Sequence, residues 1–269
     1  MPAEAEWTLL FTAIKEKIGL DLNLYKQEQL RRRILGSVES KGFSGLSELS
    51  SRVKSDDGVC KWLVDRLAIN VSELYRNPEK WAELETQLLN PLLAANKKLK
   101  IWSAGCSFGA EAHTMACILD SKLPGQHTIL GTDIDVTALD QASRGIFSDA
   151  DMRGVPKAIR DRYFTHEGDR WIASASIRKY LTFRRGDLLS NKFDSNYDLI
   201  LCRNVVIYFT EEAKEVLYKR FFEALKPGGI LFVGGTERIF NSRQVGFEAP
   251  LPFFYRKPLE EENRWRNAS

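Results

Sequence analysis

The run from Leu99 to Asp135, LKIWSAGCSFGAEAHTMACILDSKLPGQHTILGTDID, constrains the possible folds of this chain more than any other stretch. It reads as an apolar strand, a turn of small residues, a helix, a second apolar strand and an acidic residue where that strand ends. Strands that are apolar throughout, alternating with helices, indicate a parallel sheet covered on both faces. Gly105 and Gly109, with Ser103, Ala104 and Ser107 around them, let backbone approach a ligand that larger side chains would exclude. Asp133 closes the second strand, where its carboxylate can accept hydrogen bonds from two ribose hydroxyls. Its separation from the glycine turn is close to the roughly 20 residues expected between such a turn and a ribose-binding acid.

The alternation continues to the end of the chain. LTFRRGD, YDLILCRN, GGILFVGG, VGFEAP and PFFYRK read as further strands, with helices in VTALDQASRG and EEAKEVLYKRFFEALK. Upstream the periodicity is helical: Trp7, Leu10, Phe11, Ile14 and Ile18 mark one apolar face, and no β-rich run interrupts the chain before Asn96. The expected organisation is an all-helical domain over residues 1–76, a linker helix over 77–98 with Pro78 in its first turn, and an α/β domain over 99–257. An insertion around 165–182, centred on the alternating WIASASI, is expected to form a small antiparallel β flap, and 258–269 a polar tail.

Composition excludes several function classes. Thirty-nine basic against 36 acidic residues give a net charge of +3, too small to imply a nucleic-acid partner. No window is apolar enough for a transmembrane helix, and MPAEAEWTLLFTAIKEK is unlike a signal peptide, so a cytoplasmic protein without membrane insertion is expected. Cys60, Cys106, Cys117 and Cys202 form no CxxC pair, and His113, His127 and His166 share no ligand spacing, so no metal is expected.

The turn AGCSFG contains GxxxG, not the GxGxxG of a dinucleotide site. This favours S-adenosylmethionine, which has no pyrophosphate to cradle, over NAD. ALKPGGILFVGG supplies a helix stop and a late strand, a pairing that resembles the Rossmann-like methyltransferases. In YDLILCRNVVIYF, Arg203 and Asn204 fall at the carboxyl end of a central strand, where open α/β sheets bind ligands. An arginine directly after a buried strand needs a partner, either a structural salt bridge or an anion in the site. Tyr208 is either a core aromatic beside Phe209 or a ring set beside the reacting group.

NVSELYR, IWSAGCSFGAE, GTDID, DLILCRNVVIYF and LKPGGILFVG occur in the order and spacing of the CheR family of chemoreceptor glutamate methyltransferases, and the resemblance runs from about Leu20 to Lys257. It implies a class I methyltransferase sheet with a small helical N-terminal domain and an inserted antiparallel flap. The implied enzyme makes glutamyl methyl esters on receptor cytoplasmic helices, with S-adenosylmethionine as methyl donor and S-adenosylhomocysteine as product. By motif, Asn70, Ser72, Arg76, Gly105, Glu111, Asp133, Asp187, Leu188, Arg203 and Asn204 would surround the cofactor. Arg76, Arg203 and Tyr208 would lie nearest the methyl group and the acceptor. A carboxylate acceptor is already anionic at neutral pH, so no general base and no histidine should be essential.

The departure from the family pattern is SFGAEAH (Ser107–His113) in place of STGEEPY, which keeps the second glutamate as Glu111 but replaces the first by Ala110 and brings Phe108 into the turn. A binding module with little turnover, or a methyltransferase for small molecules or nucleic acid, therefore stays open as an alternative. Arg31, Arg32 and Arg33 on a predicted helix read either as a solvated face or as a patch that meets acidic receptor helices.

Overall fold

The computed structural model describes residues 2–68, 70 and 72–259, so residues 260–269 of the expected polar tail lie outside the described residues. The chain divides into two compact units, one of Met1–Ile69 with Asp187–Lys192 and Tyr208–Leu217, the other of Asn70–Gly186 with Phe193–Ile207 and Tyr218–Ser269.

In the first unit, apolar residues at helical spacing bury one face of each helix. α1 (Glu4–Ile18) buries Trp7, Leu10, Phe11 and Ile14, and α2 (Gln27–Lys41) buries Leu30, Ile34 and Val38. α3 (Leu46–Ser55) buries Leu46, Leu49 and Val53. α4 (Asp57–Leu67) is capped by Asp56, whose carboxylate accepts the Gly58 and Val59 N–H groups.

The basic run does not form one face. Consecutive helical residues point roughly 100° apart, and each arginine meets different surroundings. Both Nη atoms of Arg31 donate to the carboxylate of Glu4, at 2.5 and 2.7 Å, and its guanidinium lies 5.0 Å from the Trp7 ring centroid. Arg33 donates to the Leu67 carbonyl at 3.1 Å, which leaves Arg32 as the exposed member. The arginines read from the sequence as one patch are therefore divided: Arg31 and Arg33 fasten α2 within the helical unit, and Arg32 is exposed.

The second unit begins earlier than the sequence suggests. Asn70–Arg76 and the segment read as a linker belong to it, because Leu74, Tyr75, Trp81, Leu84 and Leu89 are buried in its core. α5 (Pro78–Glu83) passes through a wide π turn at Leu84–Leu89 into α6 (Asn90–Ala95). The widening falls just before Pro91, which has no N–H to donate.

From there strand and helix alternate: β1 (Lys100–Ala104), α7 (Ala110–Lys122), β2 (Thr128–Asp133), α8 (Val136–Arg144), β3 (Ile146–Ser148), α9 (Lys157–Tyr163), β4 (Phe164–Glu167) and β5 (Arg170–Ala173). α10 (Ala175–Arg178), β6 (Leu181–Arg185), β7 (Tyr197–Cys202), α11 (Glu211–Ala224), β8 (Leu225–Val233), α12 (Ser242–Val245), β9 (Glu248–Leu251) and β10 (Phe254–Arg256) complete it. Seven strands form one sheet in the order β6-β2-β1-β7-β8-β10-β9, parallel except for β10, which runs antiparallel to both neighbours. All six residues of β7 are buried, as a strand covered on both faces requires.

The inserted flap is a three-stranded antiparallel sheet, β3-β5-β4, and it includes Ile146–Ser148, a strand the sequence reading did not single out. WIASASI is extended only as far as Ala173; the Ser174 carbonyl then accepts the Arg178 N–H at 3.1 Å and a helical turn follows. No described helix is long and apolar enough to cross a membrane.

The substituted turn packs inward. Phe108 is buried with its ring 6.3 Å from that of Phe147, and His113 stands edge-on to Phe147 at 4.9 Å. The His113 Nδ1 lies 2.8 Å from the Gly109 carbonyl, so Nδ1 carries the proton, and Nε2 has no hydrogen-bond partner. Burial pushes the imidazole down to about 4, so it stays neutral. Protonation favours the unfolded chain, whose histidine titrates near 6.5, so this contribution is full above that pH and is lost as pH falls towards 4. Comparing urea unfolding of the wild type and a His113→Asn variant tests this, since other titrating groups cancel. The wild type should lose up to roughly 3 kcal/mol relative to the variant between pH 6.5 and 4. A constant difference would show that the ring is not neutral and buried.

Candidate active site

The sheet reverses its winding between β1 and β7: β2 and β6 are laid down on one side of β1, and β7, β8, β10 and β9 on the other. Open α/β sheets bind ligands at the carboxyl ends of the strands flanking such a point. Gly105 follows β1 with φ 76°, and a Cβ there would sit 2.6 Å from a methyl carbon of Val205, in the loop after β7. Only glycine meets both demands. The Gly105 and Cys106 N–H groups both donate to the Thr132 carbonyl, at 2.8 and 3.0 Å, which ties the turn to the end of β2.

Asp133 stands at that end. One carboxylate oxygen accepts the Ser107 N–H at 2.7 Å and the other the Asp135 N–H at 3.0 Å. The carboxylate has about four acceptor positions, more than its amide partners fill, so it can accept a further donor. Burial pushes the carboxyl up, and the amides of Asp135, Ser107 and Ile134 oppose that shift. Asn70 bridges the two loops: its Nδ2 donates to Asp135 at 2.5 Å and its Oδ1 accepts the Ser107 hydroxyl at 2.7 Å. Asp135 also caps α8 by accepting the Ala138 N–H at 2.9 Å. Asp135 and Ser107 thus hold Asn70, a partnership that sequence spacing alone did not reveal.

Glu111, in the first turn of α7, forms the second focus. Its carboxylate accepts the Ser103 hydroxyl at 2.8 Å and lies 3.9 Å from Nη1 of Arg203. Burial raises the Glu111 carboxyl to about 7, although Arg203 and Ser103 both pull it down. The Arg203 side chain is only 4% exposed, with its guanidinium 5.4 Å from the Trp81 ring and 4.6 Å from the Phe232 ring. Nη2 donates to the Arg76 carbonyl and to Asn77 Oδ1, both at 3.0 Å, while Nε is buried without a partner. The Arg76 carbonyl also accepts the Trp81 indole N–H at 3.1 Å. It is aimed by left-handed backbone on either side, Tyr75 at φ 56° and Asn77 at φ 59°. Neither is glycine, so this geometry carries strain.

Glu237 was not singled out from the sequence. It is 4% exposed, and its carboxylate accepts N–H groups from Asn204 (2.6 Å), Val205 (2.8 Å) and Gly234 (2.8 Å). Burial raises its pKa, and these amides with that of Ile207 oppose the rise. The only signal was an acid just past an apolar strand, in VGGTE. Asn204 itself is left-handed at φ 61°.

Asn70, Arg76, Gly105, Glu111, Asp133, Arg203 and Asn204 thus come together in the second unit, with half-buried Ser72 on the segment leading to Arg76. Asp187, Leu188 and Tyr208 belong to the first unit. There Asp187 caps its own turn, accepting the Leu189 N–H at 2.9 Å and the Ser190 hydroxyl at 2.8 Å, and the Tyr208 carbonyl accepts the Lys26 N–H at 2.9 Å. Among the described residues, no group of three or more His, Cys, Asp or Glu side chains is arranged to hold a metal ion.

Comparison with known proteins agrees with this geometry. The family model for the CheR methyltransferase, SAM binding domain, matches residues 70–250, and that for the CheR methyltransferase, all-alpha domain, matches residues 5–68. A chemotaxis protein methyltransferase of Listeria monocytogenes is 36% identical over 94% of this chain and 98% of its own length. Chemotaxis protein methyltransferase 1 of Pseudomonas aeruginosa is 31% identical over 89% of this chain and 92% of its own. With both of its halves matched and a relative 36% identical over 94% of its length, the chain belongs to the CheR family of S-adenosylmethionine-dependent methyltransferases.

Proposed function

We propose that this chain methylates glutamate side-chain carboxylates on the cytoplasmic helices of chemoreceptors, giving glutamyl methyl esters. The observation that carries this reading is a permanently charged guanidinium, Arg203, buried at the switch point with an unpartnered Nε, in a family of methyltransferases. An arginine so placed suits an anion, and a carboxylate acceptor needs no base to remove a proton.

The residues present fit S-adenosylmethionine. The lone pairs left on Asp133 suit ribose hydroxyls, the Gly105 turn leaves no room for a side chain, and the buried Glu111 carboxyl suits a cation. Asn70, Ser72, Arg76, Asp187, Leu188 and Asn204 are assigned to the surroundings of the cofactor on the strength of their motifs. Bound there, the cofactor supplies an electrophilic methyl group on a sulfonium.

The chain's own contribution is to hold and to exclude water. Ser107 and Asp135 fix Asp133 in one orientation before ligand arrives, so little ordering remains for binding. Arg203 has committed Nη2 to Arg76 and Asn77, and Nη1 faces Glu111 at 3.9 Å, so the unpartnered Nε–H is the donor left for an anion. Arg76 and Tyr208 are assigned with Arg203 to the acceptor side, where the task is to hold a carboxylate roughly 3–3.5 Å from the electrophile without blunting its free oxygen. Of the three consecutive arginines of α2, Arg32 is the one left to steer an acidic receptor helix.

Incubation with purified receptor cytoplasmic fragments and methyl-labelled cofactor tests the reading: base-labile label should appear on the receptor. Label that resists base, or binding without label, would replace it with one of the alternatives.

Asp133→Ala should weaken S-adenosylhomocysteine binding at least about tenfold by calorimetry in a folded protein, since a charge-assisted hydrogen bond contributes about 1.5–3 kcal/mol. Unchanged affinity would remove Asp133 from the site. Glu111 adds a pH dependence. A ligand ammonium favours its carboxylate form, so binding releases a proton and affinity should rise from pH 6 to 8, by about tenfold for a group titrating near 7, then level off. Glu111→Gln should flatten that profile.

Arg203→Lys keeps the charge but not the planar geometry that reaches both Arg76 and Asn77. Initial rates at saturating cofactor should fall most for Arg203 variants, less for Tyr208→Phe, and least for His127 and His166 variants. A fully active Arg203→Lys protein would exclude the proposed role. His113 and His127 are both buried, so replacing either also disturbs packing, whereas His166 is exposed.

A further inference from the structure

The segment after β8 carries side chains that the site does not use. It runs Gly234, Gly235, Thr236, Glu237, Arg238, Ile239, Phe240, and its second half alternates between interior and solvent. Glu237 and Ile239 are buried, Arg238 is exposed, and Phe240 is 91% exposed, the largest value among the exposed large apolar side chains of the described residues. The Arg238 guanidinium lies 6.0 Å from the Phe240 ring centroid. Arg243 is exposed further along, and no exposed acidic residue occurs between Gly234 and Gly246.

A single apolar side chain on a surface is ordinary and carries no inference. This one is held in place. The Glu237 carboxylate grips the N–H groups of Gly234, Asn204 and Val205, and the Tyr255 hydroxyl accepts the Ile239 N–H at 2.8 Å. The backbone presenting Arg238 and Phe240 is therefore pinned at two buried points before any partner arrives. One of those pins is shared with the loop that begins at Arg203 and Asn204. A group seated on Phe240 is thereby registered against the active-site loop.

We propose that Arg238 and Phe240 form a docking edge for the acceptor helix. Phe240 would seat an apolar position of that helix, and Arg238, with Arg243 behind it, would meet carboxylates one turn away. The inference rests on the reading that the substrate is a glutamate-bearing helix. Such a helix offers apolar and acidic positions at three- and four-residue spacing, to which an aromatic ring beside a guanidinium is complementary in both shape and charge. An aromatic side chain has only two torsions to fix on binding, which is one reason such residues concentrate interface energy.

The test uses the full chain with Phe240→Ala, Phe240→Leu and Arg238→Glu, and a purified receptor cytoplasmic fragment with methyl-labelled cofactor. Phe240→Ala should raise KM for the fragment about tenfold while kcat, S-adenosylhomocysteine affinity and unfolding temperature stay at wild-type values. Phe240→Leu should recover part of the loss. Arg238→Glu should raise KM more at low than at high salt, because salt screens an exposed charge. If the wild type labels the fragment and Phe240→Ala keeps KM within about twofold, the docking edge is refuted and the function stands. If the wild type places no base-labile label on the fragment, the functional reading fails and this inference fails with it.

Discussion

Burying Glu111 and Arg203 beside each other, where the sheet reverses its winding, is the constraint on which the rest of the site depends. Each charge taken from water costs several kcal/mol unless partners replace its hydration. Three segments far apart in sequence converge to supply them. Ser103, in β1, donates to Glu111. The Arg76 carbonyl, turned inward by left-handed Tyr75 and Asn77, accepts from Arg203, and the rings of Trp81 and Phe232 cover the guanidinium faces. The compensation is incomplete: Glu111 still titrates near neutrality and one Arg203 nitrogen remains without a partner. An incomplete buried pair is a poor stabilising device and a good receptor for a ligand that carries both signs of charge.

The other two carboxylates at this edge solve the same problem with backbone. Glu237 gathers amides from the loops after β7 and β8, and Asp133 gathers them from the loops after β1 and β2. Backbone N–H groups stabilise the charged form of a carboxylate without bringing in another titrating side chain. They also make the loops rigid relative to one another, so that ligand-facing atoms are placed before binding. One arrangement therefore provides both the solvation of buried acids and the pre-organisation of the site.

The altered turn SFGAEAH is a packing change. Phe108 and His113 enter the core beside Phe147, which lies on the first strand of the flap, so the residues that depart from the family pattern join the flap to α7. Ala110, where the pattern has an acid, is fully buried, and Glu111 keeps its position in the first turn of α7. The departure leaves the Glu111 and Asp133 foci intact.

By itself the sequence determined the elements of the sheet, the helical face of α1, the glycine turn and the acid ending β2, because each is a local pattern of period, size or spacing. Arg203 could be identified for the same reason, as a charge directly after a fully apolar strand. Only the tertiary structure decided the partners. The pairing of Arg203 with the Arg76 carbonyl spans 127 positions and that of Asn70 with Asp135 spans 65, and no local pattern encodes such distances. It also divided the three consecutive arginines of α2 and drew the segment taken for a linker into the sheet unit. Glu237 went unread because a glutamate in a glycine loop looks solvated until the fold closes four backbone amides around it. Composition and period report how a residue meets its neighbours along the chain, whereas the charge state of a buried group depends on which distant atoms replace its water.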